Sequence, residues 1–370
     1  MRIALLTYST KPRGGVVHTL ALAEALARVG QDVTVWSLGR GGDAAFFRPV
    51  DPAVRVRLVP FPDVPGEGVG ERILRSIAVL GAAFADGGEA YDVVHAQDCI
   101  SANAVPDCVR TVHHLDAFTT PALADCHDRA IRRPRALVCV SAAVAADVER
   151  GWGRRATVIP NGVDAARFAA AAGPDGATAR ARWRRRLGRY VLAVGGIEPR
   201  KGTLDLVEAM ALLRRERPDL ALVIAGGETL FDYRAYRARV EERAAALGVA
   251  PVVLGPVDHA ELPPLVAAAD VLAFPSTKEG FGLAAMEALA AGVPVVTRDL
   301  PVLREVFDGA AAFATGPADL AAQLLAAAGR PDPARAAAGR ALAARHTWDA
   351  AAAAHLELYA GLRAAAVRGR

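Results

Sequence analysis

Short runs of Val, Ile and Leu alternate with longer Ala- and Leu-rich stretches along the whole chain, which is the pattern of strand-helix units on a parallel sheet. In the first half, residues 2–8, 32–37, 54–59, 93–96, 109–113, 136–140 and 157–159 read as strands. In the second half the strands fall at 190–195, 221–225, 252–254, 271–274 and 295–297. Helices fill the gaps, the first of them from near Val17. The pattern pauses after Pro160-Asn161-Gly162, where an Asn-Gly turn leads into a polar stretch at 169–178, the expected linker. Residues 347–366 read as one amphipathic helix with Trp348, Leu356, Tyr359 and Leu362 on its apolar stripe. The expected fold is α/β, two Rossmann-like doubly wound domains facing across a cleft. The first covers 1–170 with the terminal helix 347–370 packed back on it, and the second covers 171–346.

Length and composition agree with that picture. The 370 residues suit two domains, and 53% hydrophobic with 23% charged is globular. No apolar run is long enough to cross a bilayer, and the start reads as a first strand rather than a signal peptide, so the expected location is cytoplasmic. A net charge of +4 with arginines spread throughout argues against a nucleic-acid partner. Arg180, Arg182, Arg184, Arg185 and Arg186, and the stretch 72–80, offer a peripheral membrane contact, although a solvated face is the plainer reading. Cys99, Cys108, Cys126 and Cys139 form no CxxC pair and read as reduced thiols. Only Lys11, Lys201 and Lys278 escape the preference for arginine.

Four segments carry candidate chemistry. The loop after the 271–274 strand reads Pro275-Ser276-Thr277-Lys278-Glu279-Gly280-Phe281-Gly282-Leu283-Ala284-Ala285-Met286-Glu287. Backbone amides at such a loop and helix start suit phosphate or sugar oxygens. Glu279 sits in that loop, and Glu287, eight residues on, lies on the helix where it can accept hydrogen bonds from a ribose diol. A second segment, Gly195-Gly196-Ile197-Glu198-Pro199-Arg200-Lys201-Gly202, brings a lysine beside a helix N-terminus, a point charge for a diphosphate. The third, Lys11-Pro12-Arg13-Gly14-Gly15, allows close backbone approach but is not a GxGxxG dinucleotide motif. In the fourth, Thr111-Val112-His113-His114, a strand ends on a histidine able to orient a sugar hydroxyl, with His114 as the register alternative and His95 as a weaker candidate. The remaining histidines show no metal-ligand spacing.

These segments resemble the retaining nucleotide-sugar glycosyltransferases of the GT-B fold, family 4 (glycosyl transferases group 1). That family's signature is E-x7-E followed by Ala-Gly-x-Pro-Val. Glu279 and Glu287 match it, with Ala291-Gly292-Val293-Pro294-Val295 in place behind them. Leu262-Pro263-Pro264-Leu265 and Ala269-Asp270-Val271 extend the resemblance. It implies a hexosyltransferase, with His113, Lys201 and Glu279 as catalytic residues. Gly14, Gly15, Arg200, Gly280, Phe281, Gly282, Leu283 and Glu287 would bind the donor. The co-substrate would be a nucleotide diphosphate sugar, with no metal and no other cofactor, and the acceptor a sugar, lipid or small molecule of unknown identity. The family has an arginine five residues before its lysine where this chain has Gly196, and Arg200 is the nearest replacement. Leu300-Pro301 stand where the family's two glycines precede Glu305, which is given no role. The competing expectations are a GT-B sugar-nucleotide epimerase and a degenerate sugar-nucleotide binding protein.

Overall fold

The computed structural model describes the chain except residues 117, 119, 228–232, 331 and 369–370, and the side chains of 366–368. Contacts divide it into two compact units, one of Met1–Gly162 with Trp348–Arg370, the other Val163–Thr347.

The first unit is built on seven parallel strands: β1 (Arg2–Leu6), β2 (Asp32–Arg40), β3 (Arg55–Phe61), β4 (Val93–Ala96), β5 (Val109–Val112), β6 (Ala136–Cys139) and β7 (Thr157–Val158). Their order is β3-β2-β1-β4-β5-β6-β7, so the chain reverses direction across the sheet between β1 and β4. Ile3 pairs with Val33 and with Val93, and Leu5 with Val35 and His95. Alternate side chains feed opposite faces. Ile3, Leu5, Val33 and Val35 pack with Leu20 and Leu26 of the Gly14–Arg28 helix and with Tyr359. Ala4, Leu6, Trp36 and Leu38 pack with Phe61 and Leu80 on the other side. Full burial of a leucine in such a layer contributes about 1.5–3 kcal/mol. The terminal helix Trp348–Arg368 belongs to this unit, with Tyr359 fully buried and Trp348, Leu356 and Leu362 packed against the same core, the stripe the sequence predicts.

The second unit repeats the plan with β8 (Arg189–Val194), β9 (Leu220–Ala225), β10 (Val252–Gly255), β11 (Val271–Phe274), β12 (Val295–Arg298) and β13 (Ala312–Ala314), ordered β10-β9-β8-β11-β12-β13. All pairings are parallel, and the reversal falls between β8 and β11, where Leu192 pairs with Leu272. Its core joins Val191, Leu206, Met210, Leu222, Val271 and Leu324.

Three expectations need correction. The Gly-Gly segment is not a loop running to Val17, because the first helix starts at Gly14. The polar stretch 169–178 is not a linker: it holds the end of the Ala165–Ala172 helix, a 3-10 turn at Pro174–Gly176 and the start of the Ala177–Leu187 helix, all inside the second unit. An Asp164 cap on Arg167 N–H starts that first helix early. Strand β13 went unpredicted, since Ala-Phe-Ala has no β-branched residue and its pairing with β12 is what makes it a strand.

Candidate functional site

In the second unit two loops leave neighbouring strands, β8 and β11, at the sheet's reversal point. The first runs from Gly195 through a 3-10 turn at Pro199–Lys201 into the Thr203–Leu213 helix. The second runs from Pro275 to Gly282 and into the Leu283–Ala290 helix. They are stitched together by their backbones: Thr277 N–H donates to Arg200 O at 2.8 Å. Gly202 has φ +66°, and a Cβ there would lie 2.2 Å from Pro275 O, so both its backbone shape and its contact exclude a side chain. Arg298 fixes the same carbonyl with Nε at 3.2 Å and Nη2 at 3.1 Å, and pairs with Asp205.

This stitching brings the charged side chains together. Lys201 Nζ lies 3.0 Å from Glu279 Oε2, and Arg200 Nη1 lies 3.6 Å from the same oxygen. Arg200 Nη2 also holds Glu198 Oε1 at 2.7 Å. Lys201 further sits 5.2 Å from the centre of the Phe274 ring. Beside them is a small open recess lined by Gly195, Gly196, Lys201, Phe274 and Ser276 among others. Ser276 is buried, and its hydroxyl has no partner among the described residues. Gly282, at φ +101°, offers no side-chain cap to the helix that follows, so the first amides of that helix are left for another acceptor. Glu287 stands in the second turn of that helix. Desolvation pushes its carboxyl up to about 7, against the pull of Arg167 and with a further push from Asp164.

The first unit gathers a different chemistry. His113, just past β5, faces Gly15: a Cβ on that glycine would lie 3.5 Å from the His113 ring. Burial, with His114, His95, Arg110 and His355 adding to it, holds the His113 imidazole down at about 3, and its Nε2 is buried with no partner among the described residues. His18 meets it edge-on at 4.7 Å and bonds Asn161 Oδ1 through Nδ1 at 2.8 Å. His95 bridges the Tyr359 hydroxyl at 2.6 Å and the Thr111 hydroxyl at 2.8 Å. His355 lies 5.5 Å from His95. Burial lowers His18 and His95 well below the usual imidazole value and His355 to about 4, so all four rings are neutral at pH 7. Among the described residues no group of three or more His, Cys, Asp or Glu is arranged to hold a metal ion.

Comparison with known proteins decides the family. Residues 12–167 match the family described as Glycosyltransferase Family 4, and residues 180–330 match Glycosyl transferases group 1. A D-inositol 3-phosphate glycosyltransferase of Xylanimonas cellulosilytica is 34% identical over 97% of this chain and 96% of its own. The chain belongs to glycosyltransferase family 4. A Mycobacterium tuberculosis glycogen synthase is 31% identical over 97% of this glycosyltransferase and 94% of its own length. Among solved structures, sucrose-phosphate synthase from Thermosynechococcus elongatus superposes with a TM-score of 0.79 at 22% identity, covering 99% of this chain and 100% of that one. Anabaena HepE in complex with UDP and glucose gives 0.76 at 21% identity, covering 98% and 100%. The fold is GT-B.

Within this glycosyltransferase the residues singled out from sequence fall into two groups. Lys201, Arg200, Glu279 and the Gly280–Leu283 segment share one loop cluster in the second unit, with Glu287 one turn into the helix behind it. Gly15 and His113 meet in the first unit, while His114 turns to Asp116 at 3.3 Å. Gly14 begins the helix with nothing within 4 Å of where its Cβ would lie. Phe281 is buried 5.6 Å from His346, so it packs rather than lining an open surface. Of the Arg180–Arg186 run, Arg182 pairs with Glu261, Arg184 with Asp270, and Arg180 donates to Gly173 O at 2.7 Å. These three are thus bound within the unit. Sequence reasoning missed Ser276, Glu198 and His18. Ser276 and Glu198 both lie inside segments singled out above, Glu198 beside its partner Arg200, whereas the His18 contact with Asn161 spans 143 residues of sequence. No helix of the described residues is long and apolar enough to cross a membrane, and the four cysteines are free.

Proposed function

We propose that this glycosyltransferase is a retaining hexosyltransferase that takes its sugar from a nucleotide diphosphate donor held by the second unit. The observation that carries the reading is the cluster of Lys201, Arg200 and Glu279 beside the uncapped amides that follow Gly282. The Glu279 carboxylate pairs with both cations. A diphosphate would bring more negative charge than that one carboxylate, and Lys201, Arg200 and the amides would then share it. As the bond from the anomeric carbon to the phosphate oxygen breaks, the same preorganised donors stabilise the leaving diphosphate. The acceptor oxygen forms its bond on the face the diphosphate leaves, and its proton passes to a phosphate oxygen. In this reading the charge is carried by protein groups, and no metal is required.

Glu287 would accept hydrogen bonds from the ribose diol. A neutral His113 with an open Nε2 would bond a sugar hydroxyl without competing for the diphosphate. The Anabaena relative was solved with UDP and glucose, which makes a uridine diphosphate sugar the first donor to try. A donor of this kind is a cytoplasmic metabolite, and the cytoplasm is the compartment the reading implies.

The test is thermal stabilisation by UDP, GDP, ADP and their sugars, with and without EDTA, since a ligand bound only by the native state raises the melting temperature. The expected result is a shift with one base that survives EDTA, followed by a product glycoside whose anomeric configuration matches the donor. An inverted product would overturn retention. A changed donor without transfer would favour an epimerase, and no shift with any nucleotide a degenerate scaffold.

A further inference from the structure

The four charged side chains of the second unit's loop cluster are held unequally. Arg200 Nη2 lies 2.7 Å from Glu198 Oε1, a charge-assisted hydrogen bond, whereas Arg200 Nη1 lies 3.6 Å from Glu279 Oε2, beyond hydrogen-bond reach. Glu279 is closer to Lys201, at 3.0 Å. The Glu198 side chain is 9% exposed against 29% for Arg200, so the carboxylate is the anchored partner and the guanidinium reaches out from it.

The backbone makes this arrangement rigid. Glu198 precedes Pro199, which confines it to extended geometry, here φ −140° and ψ 153°. Pro199–Lys201 then closes a 3-10 turn in which Lys201 N–H donates to Glu198 O at 3.0 Å. The Arg200 carbonyl accepts from Thr277 N–H at 2.8 Å and from Thr277 Oγ1 at 3.4 Å. Arg200 is thus fixed at its backbone by the neighbouring loop and at its guanidinium by Glu198. Lys201 is guided separately, its stem lying against Gly195, where a Cβ would fall 3.3 Å from Lys201 Cε. Gly195 and Gly196 add no side chain of their own, so Arg200 is the second cation of the turn.

On charge alone Glu198 is out of place. Lys201 and Arg200 stand against Glu198 and Glu279, so the side-chain charges cancel before any phosphate arrives. Removing Glu198 would, by Coulomb's law, tighten the hold on a diphosphate. Geometry argues the reverse. Among the described residues the carboxylate next in reach of Arg200 is Glu279, and without Glu198 the two would close into a direct pair. That pair would draw Glu279 away from Lys201 and occupy the N–H groups a phosphate needs. A planar guanidinium can be held along one edge while it presents the other, which an ammonium cannot. We propose that Glu198 is a positioning residue, holding one edge of the Arg200 guanidinium so that the other is directed to the donor diphosphate. The proposal rests on the donor reading above and adds to it a carboxylate that strengthens the binding of an anion.

The test is calorimetric titration of the full chain with UDP, or with the diphosphate of whichever base the nucleotide panel selects. The proteins are the native chain, Glu198→Ala, Glu198→Gln, Arg200→Ala and the double variant Glu198→Ala with Arg200→Ala. Glu198→Ala is expected to weaken UDP by about tenfold although it removes a negative charge. Glu198→Gln, which still accepts from Arg200, should lose less. In the Arg200→Ala background the sign should reverse, the same Glu198→Ala change leaving affinity unchanged or tightening it, because only the charge of Glu198 then remains. Tighter binding in the single Glu198→Ala variant overturns the proposal in favour of simple charge. Weaker binding in both backgrounds overturns it in favour of a general loss of loop structure. If Arg200→Ala does not fold, with Glu198 left buried and unpaired, Arg200→Gln takes its place, and the reversal must still appear. A native chain that binds no nucleoside diphosphate brings down the donor reading and this proposal with it, whereas UDP binding without the reversal brings down this proposal alone.

Discussion

The two units share one architecture, yet they prepare their strand ends in opposite ways. In the second unit the charges are matched: Lys201 and Arg200 share Glu279, and Arg200 holds Glu198 as well. In the first unit the key groups are neutral and desolvated, as with His18, His95, His113 and His355, or charged with a buried Nε that has no partner among the described residues, as with Arg13 and Arg40. A matched cluster keeps its geometry while empty and exchanges one anion for another when ligand arrives. An unmatched one gains its partner only from the ligand. The loop cluster of the second unit is thus preorganised by internal ion pairs, and the first unit is preorganised by packing.

The largest effect that probes this contrast is on turnover. Lys201→Ala removes a cation aimed at developing charge and should reduce kcat by about 100- to 1,000-fold, with a smaller change in donor affinity. Steady-state kinetics with the identified donor checks it, and an equal loss in kcat and affinity would mean that Lys201 only binds. Glu287→Ala should do the reverse, weakening donor affinity by about 10- to 100-fold through loss of hydrogen bonds to a charged acceptor while kcat moves less. Because the Glu287 carboxyl titrates at about 7, donor affinity should rise with pH through that value, as the acid becomes the better acceptor for a diol, and Glu287→Gln should flatten the rise. A pH-independent affinity in the native enzyme would remove Glu287 from the ribose.

How much of this was legible in the sequence differs between the units for a physical reason. The charged loops of the second unit are local: Glu279 and Glu287 share one thirteen-residue stretch, and Arg200 and Lys201 are adjacent, so spacing alone places them on a loop and a helix. Gly202 and Gly282 have positive φ, a requirement that the glycines themselves announce. The first unit's site is assembled from distant pieces. His18 meets Asn161 and His95 meets Tyr359, over separations of 143 and 264 residues. Nothing in the local pattern around Arg40 or Arg72 distinguishes them from the many solvated arginines of this chain. Twelve of the thirteen strands follow from apolar runs, and β13 does not, because alanine carries no preference strong enough to override its helical reading.

The smallest effect concerns stability against pH, where the units should move in opposite directions. A histidine kept neutral in the native state takes up its proton more readily when unfolded, so stability is full above 6.5 and falls as pH drops toward the native values, about 4 for His355 and about 3 for His113. Between pH 6.5 and 5.5 each fully buried ring costs about 1 kcal/mol, so His18, His95 and His355 together cost about 3 kcal/mol. Glu287 works the other way. Its native value lies above the unfolded one, so the native state binds the extra proton first, and stability in its neighbourhood rises as pH falls from 7 toward 4.5. Hydrogen exchange, corrected for intrinsic rates, should therefore show protection lost in β1, β4 and β5 between pH 6.5 and 5.5 while β8 and β11 hold or gain. Replacing one ring, His355→Leu, should reduce that loss by about 1 kcal/mol and leave the second unit unchanged. Equal loss in both units would mean that the acid response arises from surface ion pairs, which each unit carries, and not from the buried rings of the first unit.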